Sequence, residues 1–253
     1  MSEAAILPTR RDEAWRYSDT DALAGIDLGD WRAVDVAPGD TLRETLVVED
    51  ENGNADGTRL TRLRVSIGKG ARYELFGVIA SAHLGRVEVE VTLAEGAHFE
   101  MGGITVGGRD TVREFVTRVV HAEPNATSNQ VVRSVHWGQG TGNFLGNIEV
   151  VRHAQKTDAA QSFKGLLLEK GASVNAVPQL EIFADDVKCA HGASVGQMDE
   201  NARFYMAARG LSPELSRRLL VQAFVGDALV ALDDEAEHER LLQVALDKLD
   251  KHL

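Results

Sequence analysis

From about Leu46 to Gly196 the apolar positions recur at every second residue. In Arg62 to Ile67, the residues Leu63, Val65 and Ile67 share one parity, and Arg62, Arg64 and Ser66 the other. In Val87 to Ala94, the residues Val87, Val89, Val91 and Leu93 alternate with Glu88, Glu90, Thr92 and Ala94. Successive side chains of a strand point to opposite faces, so this period predicts half-buried β-strands.

A turn-like motif punctuates these stretches. Gly70-Ala71-Arg72-Tyr73, Gly96-Ala97-His98-Phe99, Gly171-Ala172-Ser173-Val174 and Gly192-Ala193-Ser194-Val195 share a turn glycine, a small residue, a variable one and an apolar one. Asn125-Ala126-Thr127 and Asp158-Ala159-Ala160 follow the pattern with Asn or Asp as the turn residue. The uneven spacing suits a β-solenoid whose rungs are joined by loops of different length. Asp56-Gly57 is the one candidate hairpin turn, so a hairpin-built barrel is disfavoured. On periodicity alone a β-sandwich stays open as the alternative.

After Gly196 the period becomes helical. Asp199 is placed to cap a helix carrying Ala202, Phe204, Tyr205 and Met206, with Arg209-Gly210 at its end. Ser212-Pro213 opens a second helix with Leu215, Leu219, Leu220, Ala223 and Phe224 as its apolar stripe. A third starts near Asp234 and carries Leu241, Leu242, Ala245, Leu246 and Leu249. Upstream of the strands, a short helix docked by Trp15 and Tyr17 is expected. The plan is a helical segment over 1–45, a β core over 46–198 and a helical domain over 199–253.

Charge and composition narrow the function. The net charge is −12 and no basic run occurs, which argues against nucleic acid as a partner. No apolar run reaches bilayer-spanning length, and Met1 to Arg11 holds no stretch like a signal peptide, so a cytoplasmic location is expected. The single cysteine, Cys189, excludes an internal disulfide and suits a reducing compartment.

The densest polar stretch in the strand region runs from Leu180 to Gly192. On one strand, Val187, Cys189 and His191 share a face, so a thiol and an imidazole two residues apart could approach one metal ion. The plainer reading makes Cys189 a small buried apolar residue. A Cys–His nucleophile is disfavoured, because neighbours on one strand rarely bring base and thiol into contact with a third orienting group. Asp185 and Asp186 point apart and fit a turn or a solvated pair. No phosphate-cradling Gly-x-x-x-x-Gly-Lys motif occurs, so any ATP must be bound by a partner. One cysteine cannot fill the four positions that an iron–sulfur cluster requires.

Pro178-Gln179-Leu180-Glu181-Ile182 followed by Val187-Lys188-Cys189-Ala190-His191-Gly192-Ala193-Ser194-Val195-Gly196 resembles the signature of the SufB/SufD family of iron–sulfur cluster assembly scaffolds. Phe204-Tyr205-Met206-Ala207-Ala208-Arg209-Gly210-Leu211, His153-Ala154-Gln155-Lys156-Thr157-Asp158-Ala159, Asn147-Ile148-Glu149-Val150 and Glu13-Ala14-Trp15-Arg16-Tyr17 are also similar to family segments, and Cys-x-His-Gly points to the SufD branch. The resemblance implies a right-handed parallel β-helix with flanking helices. It also implies a complex with SufB and two copies of the ATPase SufC, in which the partner binds ATP. Helices over about Asp199 to Leu232 would dock that ATPase, with Phe204, Tyr205, Arg209, Gly210, Leu219 and Phe224 as contact residues. The last strands would pair with SufB, and His191 first, then Cys189, would contribute to a transient iron–sulfur cluster shared with that subunit. A homodimer of the isolated chain is conceivable on the same resemblance. The chain itself would not be an enzyme. The alternatives are a carbohydrate-active β-solenoid enzyme, which needs paired carboxylates in a cleft, and a purely structural partner without a metal site.

Overall fold

The alternating stretches close into a coil of parallel strands in the computed structural model, which describes residues 7–48, 57–80 and 82–252. Asp56 of the candidate hairpin turn lies outside the described residues. The strands are β1 (Arg32–Val36), β2 (Thr41–Val48), β3 (Thr58–Ile67), β4 (Arg72–Ile79), β5 (Leu84–Leu93) and β6 (His98–Gly107). They continue as β7 (Val112–His121), β8 (Thr127–His136), β9 (Thr141–Val150), β10 (Asp158–Leu167), β11 (Ser173–Ile182) and β12 (Lys188–Gln197). β1 lies wholly within the segment 1–45 expected to be helical, and β2 begins there and runs through Leu46, so the β core starts earlier than the sequence texture indicates.

Odd-numbered strands build one six-stranded sheet and even-numbered strands the other. Each strand pairs in parallel with the strand two further along the chain, as in β3 with β5 and β4 with β6. Parallel neighbours need a crossover between them, and here the crossover is a strand of the opposite sheet. The chain is therefore a β-helix with two strands per turn, and the sandwich alternative falls.

The corners explain the turn motif and correct part of it. Gly39, Gly70, Gly96, Asn125 and Lys156 all have positive φ, the left-handed conformation that glycine and asparagine tolerate best. Each donates its N–H to a carbonyl one turn further on: Gly70 to Glu95 at 2.9 Å, Gly96 to Pro124 at 3.0 Å, Asn125 to Gln155 at 2.9 Å and Lys156 to Asp186 at 2.6 Å. Asp158, expected as a turn residue, is instead the first residue of β10, because Lys156 takes the corner. Gly192, also expected as a turn, sits inside β12 opposite Ser162. Gly171 does turn, on the second row of corners, with φ +100.

The lumen is apolar at its centre. Leu63, Val65, Ile67, Val87, Val89, Val91 and Leu93 line it, as their parity predicts. Tyr73 and Phe99 stack at 6.1 Å between centroids, and Phe144 and Phe163 at 5.8 Å. At the first turn Glu44 pairs with Arg32 at 2.6 Å and accepts the Tyr73 hydroxyl at 2.8 Å. On the outer face of the odd-strand sheet, charges form cross-strand pairs, Arg62 with Glu88 at 2.8 Å and Arg64 with Glu90 at 2.9 Å.

Ahead of β1 the chain is a strap across that sheet, and among its described residues the helical elements are two short 3-10 turns, Glu13–Trp15 and Thr20–Leu23. Trp15 is buried and lies 3.7 Å from the guanidinium carbon of Arg86. Arg86 is fully buried, bonded to Glu88, Glu114 and the carbonyl of Ala14. Tyr17, expected to dock, is 38% exposed. Its carbonyl, not its ring, is what the sheet holds, through Asn143 at 3.0 Å.

Three helices follow: α1 (Glu200–Ala208), α2 (Pro213–Gly226) and α3 (Glu235–Asp250). Asp199, Ser212 and Asp234 cap them by accepting backbone N–H groups of the first turn, where the sequence places caps. α2 and α3 fold back onto the outer face of the even-strand sheet and cover Phe76, Val78, Ile104, Val106 and Val135. The stripe of α3 is the expected one. The stripe of α2 is not: Val221 and Val225 are buried, whereas Leu215 and Ala223 are exposed. The turn Asp227–Leu229 fixes this rotation. It buries Ala228 and Leu229, and Asp227 pairs with Arg133 at 2.6 Å, so residues in line with Leu229 along the helix face the sheet. Gly102 permits the approach, since a side chain there would collide with the carbonyl of Ala228.

Candidate functional site at the open end of the coil

β11 and β12 are the last strands of the two sheets, so one hydrogen-bonding edge of each is unpaired among the described residues. Such edges are templates for another chain. The start of β12 is fixed by three backbone anchors: Lys156 N–H to Asp186, Asp186 N–H to the Gln155 side chain at 2.8 Å, and Lys188 N–H to Thr157 at 2.8 Å. From there β12 runs in register with β10, Lys188 beside Asp158 through Gln197 beside Leu167.

That register assigns faces. Ala159, Gln161 and Phe163 of β10 are buried in the lumen, and their partners are Cys189, His191 and Ala193. Cys189 and His191 therefore share the lumen side of the terminal strand, where the lumen opens to solvent. Cys189 is half-buried against the cluster of Ile148, Ala159 and Leu180. Burial, then the charge of Asp158, pushes its thiol pKa up. The thiol form is thus favoured, and a metal-binding thiolate needs a change of surroundings. His191 is exposed.

The opposite strand contributes no donor to the pair. Pro178 and Leu180 of β11 continue the lumen columns of Gly146 and Ile148 and are apolar. Among the described residues no group of three or more His, Cys, Asp or Glu side chains could hold a metal ion. The site offers two donors, so a metal ion held there would take its further ligands from another molecule. Asp185 and Asp186 lie in an exposed bend, with Asp186 paired to Lys156. His153 sits in an exposed turn, 4.0 Å from Glu123.

The other sequence-derived residues divide into two groups. Phe204 is 78% and Tyr205 59% exposed on α1, a helix that buries no residue. The Arg209 guanidinium lies over the Tyr205 ring at 4.9 Å, and Gly210, with φ +84, ends the helix. Leu219 and Phe224 are half-buried on α2, and Phe224 packs against the layer between helices and sheet. The structure thus keeps Phe204, Tyr205, Arg209 and Gly210 together at one surface and sets Leu219 and Phe224 apart.

Sequence reasoning missed two features. Ile182, Phe183 and Val195 on β11, its end and β12 are exposed at 39%, 59% and 51%, an apolar fringe beside Cys189 and His191. The signal was present in the run Leu180 to Ala184. It also missed His121 and His136, which share parity with Val119 and Ser134 respectively and lie wholly buried in the coil. Burial pushes His121 down to about 4, and burial with the Arg113 charge pushes His136 down to about 3.

Comparison with known proteins places these features in a wider group. Residues 44–224 match the family described as SUF system FeS cluster assembly, SufBD core domain. The chain is 33% identical over 148 residues to the iron–sulfur cluster assembly protein SufD of Escherichia coli, covering 58% of this chain and 35% of that protein. It is 35% identical over 166 residues to Protein ABCI7, chloroplastic, of Arabidopsis thaliana, covering 63% of this chain and 34% of the relative. An iron–sulfur cluster assembly SufBD family protein of Synechocystis is 30% identical over 183 residues, 72% of this chain and 40% of the relative. The matches thus span between a third and two fifths of these relatives.

Proposed function

The chain belongs to the SufB/SufD family of iron–sulfur cluster assembly proteins, on its SufD branch, and from that premise we propose that it is the scaffold partner of a SufB-type subunit. In this reading the chain is not an enzyme. β11 and β12 continue into the strands of the partner, and a nascent cluster forms where the two lumens meet. His191 supplies one ligand and Cys189 a second once pairing changes its surroundings. The cluster is cargo, held transiently and shared with SufB.

The observation that supports this most directly is the pairing of an open sheet edge with two metal donors on its lumen face. Two donors are too few for a cluster, and an unpaired edge beside them is a place where another chain can add the rest. The apolar fringe of Ile182, Phe183 and Val195 gives that contact a desolvated rim.

The helices supply the second interface. α2 and α3 are committed to the sheet, so α1 with Phe204, Tyr205 and Arg209 presents the free aromatic surface. We assign that surface to the ATPase SufC, two copies of which would serve the pair of scaffold subunits. ATP stays with SufC, and its nucleotide-driven movement would shift the scaffold interface between two states. A cytoplasmic setting is part of the reading, and no described helix is long and apolar enough to cross a membrane.

Co-purification tests it. A tagged chain expressed with its cellular partners is expected to bring down a SufB-type subunit and an ABC-type ATPase. A chain that comes down alone, under conditions where those partners are present, overturns the assignment.

A further inference from the structure

The second row of corners and the end of α3 enclose a cavity of about 610 Å³, a size typical of small-molecule sites. Neither Cys189 nor His191 lines it. Its walls come from the β6–β7, β8–β9 and β10–β11 corners and from the end of α3 with the two residues that follow it.

The charge of this cavity runs against that of the chain. Asp and Glu outnumber Lys and Arg by 39 to 27 overall. The cavity nevertheless gathers Arg109, Arg113, Lys248 and Lys251 with one carboxylate, Glu169, in its lining. That carboxylate is already engaged, accepting the Gly138 N–H at 2.9 Å and lying 3.1 Å from the His252 ring nitrogen. Arg113 is buried and bonded to Thr111 and the carbonyls of Ala80 and Ala82, and Lys248 is engaged as well, which leaves Arg109 and Lys251 as the cations open to a ligand. Arg109 and Lys251 make no ion pair or side-chain hydrogen bond among the described residues. A concave surface lined by one sign of charge concentrates ions of the other.

Two further observations favour a ligand over a merely solvated basic patch. Lysines at the end of α3 complement the helix dipole, but Arg109 is on a corner and has φ +56. The stacked corner residue Gly138 has φ +58 and is glycine. A long cationic side chain is therefore kept at a strained position that glycine would relieve, as occurs at functional sites. Trp137 lines the same cavity, is 6% exposed and stacks on His252 at 4.6 Å. Its indole N–H has no hydrogen-bond partner among the described residues. A side chain on Gly108, also in the wall, would overlap that nitrogen. The glycine thus lets the indole nitrogen lie close against the wall of the cavity, where its N–H has no protein acceptor among the described residues.

We propose that this cavity binds a small molecule carrying a diphosphate group, held by Arg109, Lys251 and the Trp137 indole N–H. Cationic groups from separate elements and a neutral donor suit an anion with several oxygens better than a single-point carboxylate.

The test is calorimetric titration of the full chain with inorganic pyrophosphate and, separately, with ADP, at constant ionic strength set by chloride. One anion per chain is expected. The double variant Arg109→Ser, Lys251→Gln is expected to weaken binding about tenfold or more, with its unfolding midpoint unchanged without anion, because both side chains are exposed. Equal affinity for the two probes assigns the site to the diphosphate itself, and tighter ADP binding adds an organic moiety. In nitrogen-edited NMR spectra the Trp137 indole signal is expected to move on titration while those of Trp15 and Trp31 hold still. No saturable binding, binding that the double variant retains in full, or equal movement of all three indoles overturns the proposal.

Discussion

Gln161 and His191 are register partners on adjacent strands, yet Gln161 is 2% exposed and His191 is open to solvent. One strand separates the sealed interior from its surface. Gln161 is held there by donating its amide to the carbonyls of Gly146 at 3.3 Å and Gln179 at 3.1 Å. His191 occupies the same column one turn further on, without a further strand to close over it. The end of the coil is therefore an interior left open, and this is why an exposed imidazole and an unpaired strand edge coincide.

The thiol of Cys189 reports on that end. Its pKa is raised by burial first and by Asp158 second, so less thiolate is present at neutral pH than for a free cysteine. Alkylation by iodoacetamide at pH 7 is expected to be slower than for a cysteine in an unstructured peptide, and to accelerate in urea. A thiol that reacts faster folded than unfolded contradicts the placement.

The helical layer is expected to be part of the fold rather than an appendage. Leu246→Ala removes a side chain that is 2% exposed between α3 and the sheet, and the cavity left should cost about 2–5 kcal/mol. Arg133→Met deletes the bonds to Asp227 and to the carbonyls of Val132 and Ser162. Its expected cost is about 2 kcal/mol, moderated because Asp227 is half exposed. Urea denaturation checks both. Loss of α3 without effect on the unfolding of the coil would contradict the packing.

Acid should destabilise the coil from within. His121 and His136 hold values of about 4 and about 3 in the fold, set mainly by burial, with Arg113 adding to His136. In the unfolded chain they return to about 6.5. The unfolded state then binds more protons below that value, so the stabilisation is complete above about pH 6.5 and is lost as pH falls toward 4 and 3. The slope reaches about 1.4 kcal/mol per pH unit for each histidine. His121→Gln, which can still bond Ser128, is expected to flatten the fall in urea midpoint between pH 7 and pH 5. An unchanged pH profile argues against a neutral buried imidazole there.

Much of this architecture is legible from parity alone. Val87, Val89, Val91 and Leu93 point into the lumen because a strand fixes the direction of every second side chain, and Asp199, Ser212 and Asp234 cap helices because their side chains satisfy free N–H groups locally. What parity misses depends on a second layer. Phe76, Val78 and Ile104 are apolar on the outer face because α2 and α3 return to cover them, and the rotation of α2 follows from Asp227 reaching Arg133, 94 residues away. Gly192 read as a turn because its neighbours copy the corner motif, whereas the corner is decided by which residue donates across turns. At the site, the pairing of Cys189 with His191 was readable as a shared face. The open lumen behind them was not, since it depends on where the stack of turns stops.

The α1 surface should be dispensable for folding and necessary for association. Phe204→Ser and Tyr205→Ser change side chains that touch solvent, so unfolding midpoints should shift by less than about 0.5 kcal/mol. Co-purification with the ATPase partner is expected to fall sharply. Retained association with both aromatics removed shows that the ATPase docks elsewhere.

The most direct test of the scaffold account is anaerobic iron–sulfur reconstitution of the co-purified complex carrying His191→Ala. The account predicts a complex that assembles with its partners and loses most of the iron and sulfide bound by the unaltered complex. A His191→Ala complex that assembles and takes up the same iron and sulfide contradicts it, because the open end of the coil then holds no cluster ligand at that position.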